Sequence, residues 1–462
     1  MIQKNHFSLK DWIPASLATI ILLVVAFVFG GASRQHELRL ALVELVALPT
    51  LTLAIFALTR SSAPNRGNTL AFSVLAAVVL LPIVQLAPLP PQIWTILPGR
   101  QEMVLAQELA GVPPGWSTLS LTPDRTWRSA LALLPPVAMF LAVLSADRRT
   151  RHTLALLLLG VTAVSILLGA AQLASGGNRL YPWRTTDAGH VVGFFANRNH
   201  LATLCLASIP FAFVLGARAS RNRQANSRIW LWIFGLAIGL AIVALGVIRS
   251  RAGIILAGPV IGAGLLAAWV ATDRGRPKPV VLVMTGASVI AVVLISIFAL
   301  APLLERFDTG GAGEARFDNW PIVLAASDTF LPLGSGLGSF DSVFRSVEPM
   351  ATLDGTFFNQ AHNDYLETWL EAGWLGAGII VLFLIWYARR SWTAWRSGAG
   401  LDRDLQRASS IAIGVILVHS LADYPLRTVA ISTLFAMAAA LLELARTSGG
   451  QQPAHRTRRQ RT

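Results

Sequence analysis

Four short stretches of this chain gather side chains suited to acid–base or phosphate chemistry. GFFANRNHLA, Gly193–Ala202, sets Asn197, Arg198, Asn199 and His200 at the mouth of an apolar run. Polar groups that close to a bilayer need water or a purpose, and hydrogen-bonded bracing and sugar recognition both fit. IRSRAG is a whole turn between two apolar runs and carries Arg249 and Arg251. A guanidinium stays charged and grips phosphate oxygens with paired bonds, so this turn suits a diphosphate clamp. Simple snorkelling to lipid phosphate is the other use of such arginines. Arg316 lies in ARFDNWPIVLAA, an amphipathic stretch, with an ion pair to Asp318 or Glu314 as its alternative role. His362 sits in QAHNDYLETWL, where it can serve as a general base or brace a loop. Asp364 and Glu367 have capping-box spacing, and Tyr365, Leu366, Trp369 and Leu370 form an apolar stripe. The pattern predicts a helix starting there, with His362 at or just before its N-terminus and Asn363 and Asp364 beside it.

Other motifs point less sharply. His419 and Asp423 in HSLADYPLR are four apart, as helix-borne metal ligands are, but no third ligand lies nearby in sequence, and bracing at a helix end is the simpler reading. GSGLGSF, Gly334–Phe340, has the glycine density of a phosphate-cradling loop without the preceding strand. Glu44 within an apolar run has no evident role. Cys205 is the single cysteine, which rules out an internal disulfide and a cysteine zinc site. No nucleotide-binding loop is present, and no metal or other cofactor is expected.

The elements that must position these residues are membrane helices. The chain of 462 residues is 54% hydrophobic and 13% charged, with mean hydropathy +0.58. A water-soluble protein of this length cannot hide so much apolar surface. Apolar runs near the ~20 residues needed to cross a bilayer recur throughout. They predict an all-α, polytopic integral membrane protein with about twelve spans. The spans include Ala130–Leu144 as the fourth, Val280–Leu300 as the ninth, Trp374–Tyr387 as the tenth and Ala408–Leu421 as the eleventh. Three regions are expected: 1–192, with spans and an outer loop near 87–127; 193–427, with the long outer loop 301–373 between the ninth and tenth spans; and 428–462, a last span and basic tail. With the N-terminus inside, most of the 38 lysines and arginines fall on the inner side, as the positive-inside rule requires. The net charge of +14 then reflects topology and anionic lipid rather than nucleic acid. Every stretch singled out above falls on the outer face.

Taken together, GFFANRNHLA, SRAG, the segment Arg316–Trp320, GSGLGSF, AHNDYLETWLEAGWLG and HSLADYPLR resemble the O-antigen ligase and polymerase superfamily of bacterial envelope proteins. The likeness runs from about Gly193 to Arg427. It implies a glycosyltransferase of the bacterial inner membrane, with its site facing the periplasm, that uses a glycan linked to undecaprenyl diphosphate as donor. The acceptor would be lipid A-core for a ligase or a growing lipid-linked glycan for a polymerase. By the resemblance, Arg251, Arg316 and His362 are the catalytic set. Arg198, Asn197, Asn199, His200, Arg249, Asn363 and Asp364 would bind substrate. Transfer would be inverting and metal-independent, since the arginines can neutralise the leaving diphosphate. A lipid-linked glycan transporter is the rival of another class, but it wants charges along a mid-membrane path.

Overall fold

The computed structural model describes residues 9–32, 37–60, 69–176, 179–183, 186–221, 227–272, 285–286, 289, 317–350, 358–398 and 400–444. Val280–Leu300 and Arg316 therefore lie almost wholly or wholly outside the described residues. The remainder is helical apart from one minimal antiparallel pair.

In chain order the helices are α1 (Leu9–Phe29), α2 (Glu37–Arg60), α3 (Thr69–Leu86), α4 (Pro91–Trp94), α5 (Gln101–Leu109), α6 (Pro123–Leu131), α7 (Leu134–Ser145), α8 (Arg148–Ala174), α9 (Arg198–Ala219), α10 (Ser227–Ile248) and α11 (Arg251–Ala271). They continue with α12 (Trp320–Phe330), α13 (Phe340–Val347), α14 (Asp364–Arg396), α15 (Leu401–His419), a 3₁₀ turn Pro425–Arg427 and α16 (Val429–Glu443). Strands β1 (Pro88–Leu89) and β2 (Ser117–Thr118) clamp the excursion between α3 and α6.

Among the described residues, eight helices are long and apolar enough to cross a membrane: α2, α3, α6 with α7, α8, α9, α10, α11 and α14. Two shorter apolar helices, Pro14–Phe29 and Val429–Glu443, accompany them. The chain is a membrane protein with multiple candidate spans. The predicted fourth span starts earlier, at Pro123, and the predicted tenth is only the middle of α14. The predicted eleventh is not among the eight, because α15 opens on four charged residues, Asp402, Arg403, Asp404 and Arg407, of which Asp404 and Arg407 pair with each other and Asp402 with Arg151 on α8.

Local chemistry sets the helix starts near the site. Asn197 caps α9 by accepting from the Asn199 N–H, and Ser250 caps α11 by accepting from Gly253. Asn363 caps α14, accepting from both Tyr365 and Leu366. The cap is thus Asn363 rather than Asp364, and Glu367 reaches back two residues further, to the Ala361 N–H at 2.9 Å. α14 breaks at Gly373, whose φ of 51° suits glycine and whose Cβ position would sit 2.3 Å from the Pro332 carbonyl oxygen.

α9 is the axis of the bundle. Its whole apolar stretch is buried, surrounded by α8, α10, α11 and α15. Gly253 lets α11 approach it closely, a Cβ there falling 3.0 Å from that of Ala202. A second group joins α1, α2, α7 and α16. Contacts of Gly30 with Ala430, and of Gly31 with Ala196, bring the end of α1 and the starts of α16 and α9 to one end of the molecule. At that end α12 and α13 form a small satellite core, Val323, Ala326, Phe340, Val343 and Phe344 packing on Ala361, Leu366 and Leu370. The stripe read from sequence therefore divides: Leu366 and Leu370 enter this core, Tyr365 donates to the Leu417 carbonyl, and Trp369 meets Trp374 edge-on.

Candidate active site

Helix α9 begins at Arg198, α11 at Arg251 and α14 at Asp364, while α15 ends at His419, all at the same end of the bundle. The start of a helix presents unsatisfied N–H groups and the positive end of its dipole, so this end favours anions. Arg251 stands in the first turn of α11, half-buried, and Arg249 precedes it, exposed, with φ 55°. A left-handed arginine is strained by roughly 1 kcal/mol or more, which the turn between α10 and α11 imposes.

His362 also adopts a left-handed backbone, φ 50°, one residue before the α14 cap. Its Nδ1 lies 3.3 Å from Asp423 Oδ1. Asp423 is buried, and its other oxygen accepts from Asn197 Nδ2 at 3.5 Å. One carboxylate thus ties the loop histidine to the cap of α9. Tyr424 stands between two histidines, its ring centroid 4.8 Å from His362 and 5.0 Å from His200, both edge-on. Phe358 lies 5.7 Å from His362 on the satellite-core side and touches Phe340 and Phe344. His362, Tyr424 and Phe358 are partly exposed, whereas His200 is buried beneath them against Phe195.

Behind the histidine stands a second charged group. Arg427 Nη1 is 2.7 Å from Glu371 and 3.4 Å from Glu367, and its Nε is 3.7 Å from Asp364. Burial alone lowers the affinity of this guanidinium for its proton, but the three carboxylates outweigh burial and raise its pKa above the ordinary arginine value. Asp364 accepts from the Ser420 hydroxyl at 2.7 Å and from the Leu426 N–H at 3.3 Å. Asp364 and Asn363, expected to bind substrate, are here occupied in holding the Ser420–Arg427 turn and capping α14.

GSGLGSF proves to cradle an anion that the protein supplies itself. Glu371 Oε1 accepts from the Gly338 and Phe340 N–H groups, at 2.9 and 3.2 Å. The Leu337 N–H goes to Gln85 Oε1, and those of Ser335 and Gly336 go to the Leu370 and Glu371 carbonyls. The loop is therefore filled by a carboxylate and leaves no row of N–H groups for phosphate.

Arg198 Nε is 3.2 Å from Asp187, which also holds His190 Nδ1 at 2.9 Å. Asn199 stands in the first turn of α9, its carbonyl accepting from Thr203, whose hydroxyl is also 2.8 Å from His419 Nδ1. His419 and Asp423 therefore turn to different partners, Thr203 on one side and His362 with Asn197 on the other. The reading of sequence missed Asp423 and Tyr424 as neighbours of His362, and Glu371 and Arg427 as its support. The signal for Asp423, Tyr424 and Arg427 was HSLADYPLR itself, but Asp423 lies 61 residues from His362 in the chain, and Glu371 lies in the LETWLEAG run after His362.

A polytopic helical membrane protein with arginine-bearing helix starts, a carboxylate-held histidine and a satellite domain at one end is the class this architecture defines. Residues 236–381 match the O-antigen ligase family. The matched stretch contains Arg249, Arg251, Arg316, His362, Asn363 and Asp364, whereas Asn197, Asp423, Tyr424 and Arg427 lie outside it. A search of curated proteins finds no match.

Proposed function

We propose that the protein is a membrane glycosyltransferase of the ligase type, which moves a glycan from undecaprenyl diphosphate to an acceptor hydroxyl at the periplasmic face of the bacterial inner membrane. The observation that carries this reading is the His362–Asp423 pair, set at the end of the bundle where α9 and α11 start on arginines. Donor and acceptor meet there. Asp423 holds Nδ1, so Nε2 is the ring nitrogen that takes the acceptor proton. The acceptor oxygen then bonds to the anomeric carbon while the bond from that carbon to the diphosphate breaks, inverting the configuration. The electron pair leaves with the diphosphate, whose charge Arg251, Arg198 and Arg316 neutralise, helped by the α9 and α11 N-termini. General-base assistance of this kind is worth roughly 10²–10⁴-fold. Tyr424 and Phe358 bracket the imidazole and limit its rotation.

Reconstituted protein given an undecaprenyl-diphosphate-linked glycan and lipid A-core is expected to form the inverted glycosidic bond. Extension of one lipid-linked glycan by another, with lipid A-core untouched, would assign polymerase activity instead. Passage of intact donor across sealed vesicles with no new bond would replace the enzyme by a transporter. Turnover is expected to survive EDTA; loss of activity with recovery on adding magnesium or manganese would overturn metal independence.

A further inference from the structure

The excursion between α3 and α6 carries an apolar surface that none of the described residues covers. Its 36 residues, 87–122, hold only three charged side chains, Arg100, Glu102 and Glu108. Ile96 is 77% exposed, Leu109 81% and Trp116 69%, with Ile93, Leu105 and Val112 also exposed. Nine-residue α5 buries none of its side chains fully. A helix that short is not stable in water on its own, since helix nucleation costs more than so few turns return. Large contiguous apolar patches on a protein surface mark an interaction site.

The chain says what the partner is. Both roots of the excursion are ends of candidate spans, α3 before it and the helix pair Pro123–Ser145 after it. The β1–β2 pair and the bond from Trp94 Nε1 to the Gly115 carbonyl, 2.8 Å, hold the two limbs together just beyond those ends. Exposed apolar side chains stand on the last turns of the candidate span α3, at Leu80, Ile83 and Val84, and again at Ile93, Ile96, Trp116 and Trp127. The only cation, Arg100, is buried, folded back on the Leu119 carbonyl and over the Phe330 ring. On α5, Met103, Val104 and Gln107 face the protein, half-buried, while Leu105 and Leu109, one turn apart, point away from it between Glu102 and Glu108.

We infer that residues 93–116 lie in the headgroup region of the bilayer leaflet at the His362 end of the protein, with Ile96, Leu105, Leu109 and Trp116 inserted toward the acyl chains. A short helix with exposed apolar side chains, flanked by the ends of membrane spans, can lie along the membrane surface with those side chains buried at the headgroup–acyl boundary. It would hold the satellite core, to which Arg100 and Gly99 are packed through Phe330, at a fixed height above the lipid.

Cys205, the single cysteine, is fully buried in α9, so the wild-type chain is the unlabelled control for site-directed spin labelling. Leu105→Cys and Leu109→Cys, each carrying a nitroxide, are compared with a label on the lipid-facing Val381→Cys in full-length protein in phosphatidylethanolamine–phosphatidylglycerol vesicles. Oxygen accessibility exceeding that of a nickel chelate at positions 105 and 109, as at 381, is the expected result. Ready access by the nickel chelate overturns the proposal. So does shielding from both reagents with spin–spin broadening, which would place a second copy of the chain on this surface. Glycan transfer plays no part in the readout.

Discussion

At the residue scale the candidate site is a histidine held from behind. Asp423→Asn keeps the size and one hydrogen bond but removes the charge that supports His362 once it has taken a proton. Turnover is expected to fall about 10²-fold or more, with donor binding retained, because the base acts in the transition state. Wild-type turnover of lipid-linked donor in reconstituted membranes would detach Asp423 from the mechanism. Arg251 tests the other half. Arg251→Lys keeps the charge and loses the fork, and losing one charge-assisted bond of about 1.5–3 kcal/mol lowers the rate roughly tenfold to a hundredfold. If the residue only snorkels to headgroups, lysine does as well, and the same assay would read no change.

At the element scale, the Gly-rich loop and the Ser420–Arg427 turn hold the histidine's partners in place. Gly336 has φ 105°, and a Cβ there would lie 2.2 Å from Ser120 Oγ and 2.7 Å from Ser120 Cα. Gly111 has φ 67° but nothing within 4 Å of its Cβ position. Gly336→Ala therefore combines backbone strain with overpacking, each about 1–3 kcal/mol, whereas Gly111→Ala meets strain alone. Thermal melting in detergent should separate them, with Gly336→Ala much the lower; equal melting points would mean that the loop relaxes freely. Among the described residues, Arg427 is the cation that faces Asp364, Glu367 and Glu371. Arg427→Gln leaves three carboxylates crowded in a largely buried place, a loss of about 3–5 kcal/mol. Acidification should return part of the lost stability, since protonation removes their repulsion. A variant as stable as wild type at neutral pH would show that other groups compensate the carboxylates.

At the scale of the whole molecule, polarity between the two ends is the governing feature. The end opposite His362 is braced by Arg218 and Arg407 on Asp404, at 3.0 and 2.8 Å, and by Arg390 on Glu443, at 3.0 Å. α1 starts and α16 finishes at that end, so both termini should be cytoplasmic if the His362 end is periplasmic. Phosphatase fused after Thr462 is expected to be inactive, and active when inserted in the loop before His362; activity at Thr462 would invert the topology. Composition alone determined that this is a helical membrane protein, because apolar runs of spanning length leave no other way to satisfy a backbone in lipid. Local spacing likewise placed a helix start beside His362, since capping depends on neighbours in sequence. It assigned the cap to Asp364 rather than Asn363, because both residue types cap equally well and only packing against Ser420 chose between them. The glycines of GSGLGSF gave only a weak resemblance to a phosphate-cradling loop, and nothing in them pointed to Glu371 as the group the loop holds. The partnership of His362 with Asp423 was decided by the tertiary structure alone: a hydrogen bond between residues 61 apart exists only once α9, α14 and α15 have packed, and no periodicity along the chain encodes that meeting.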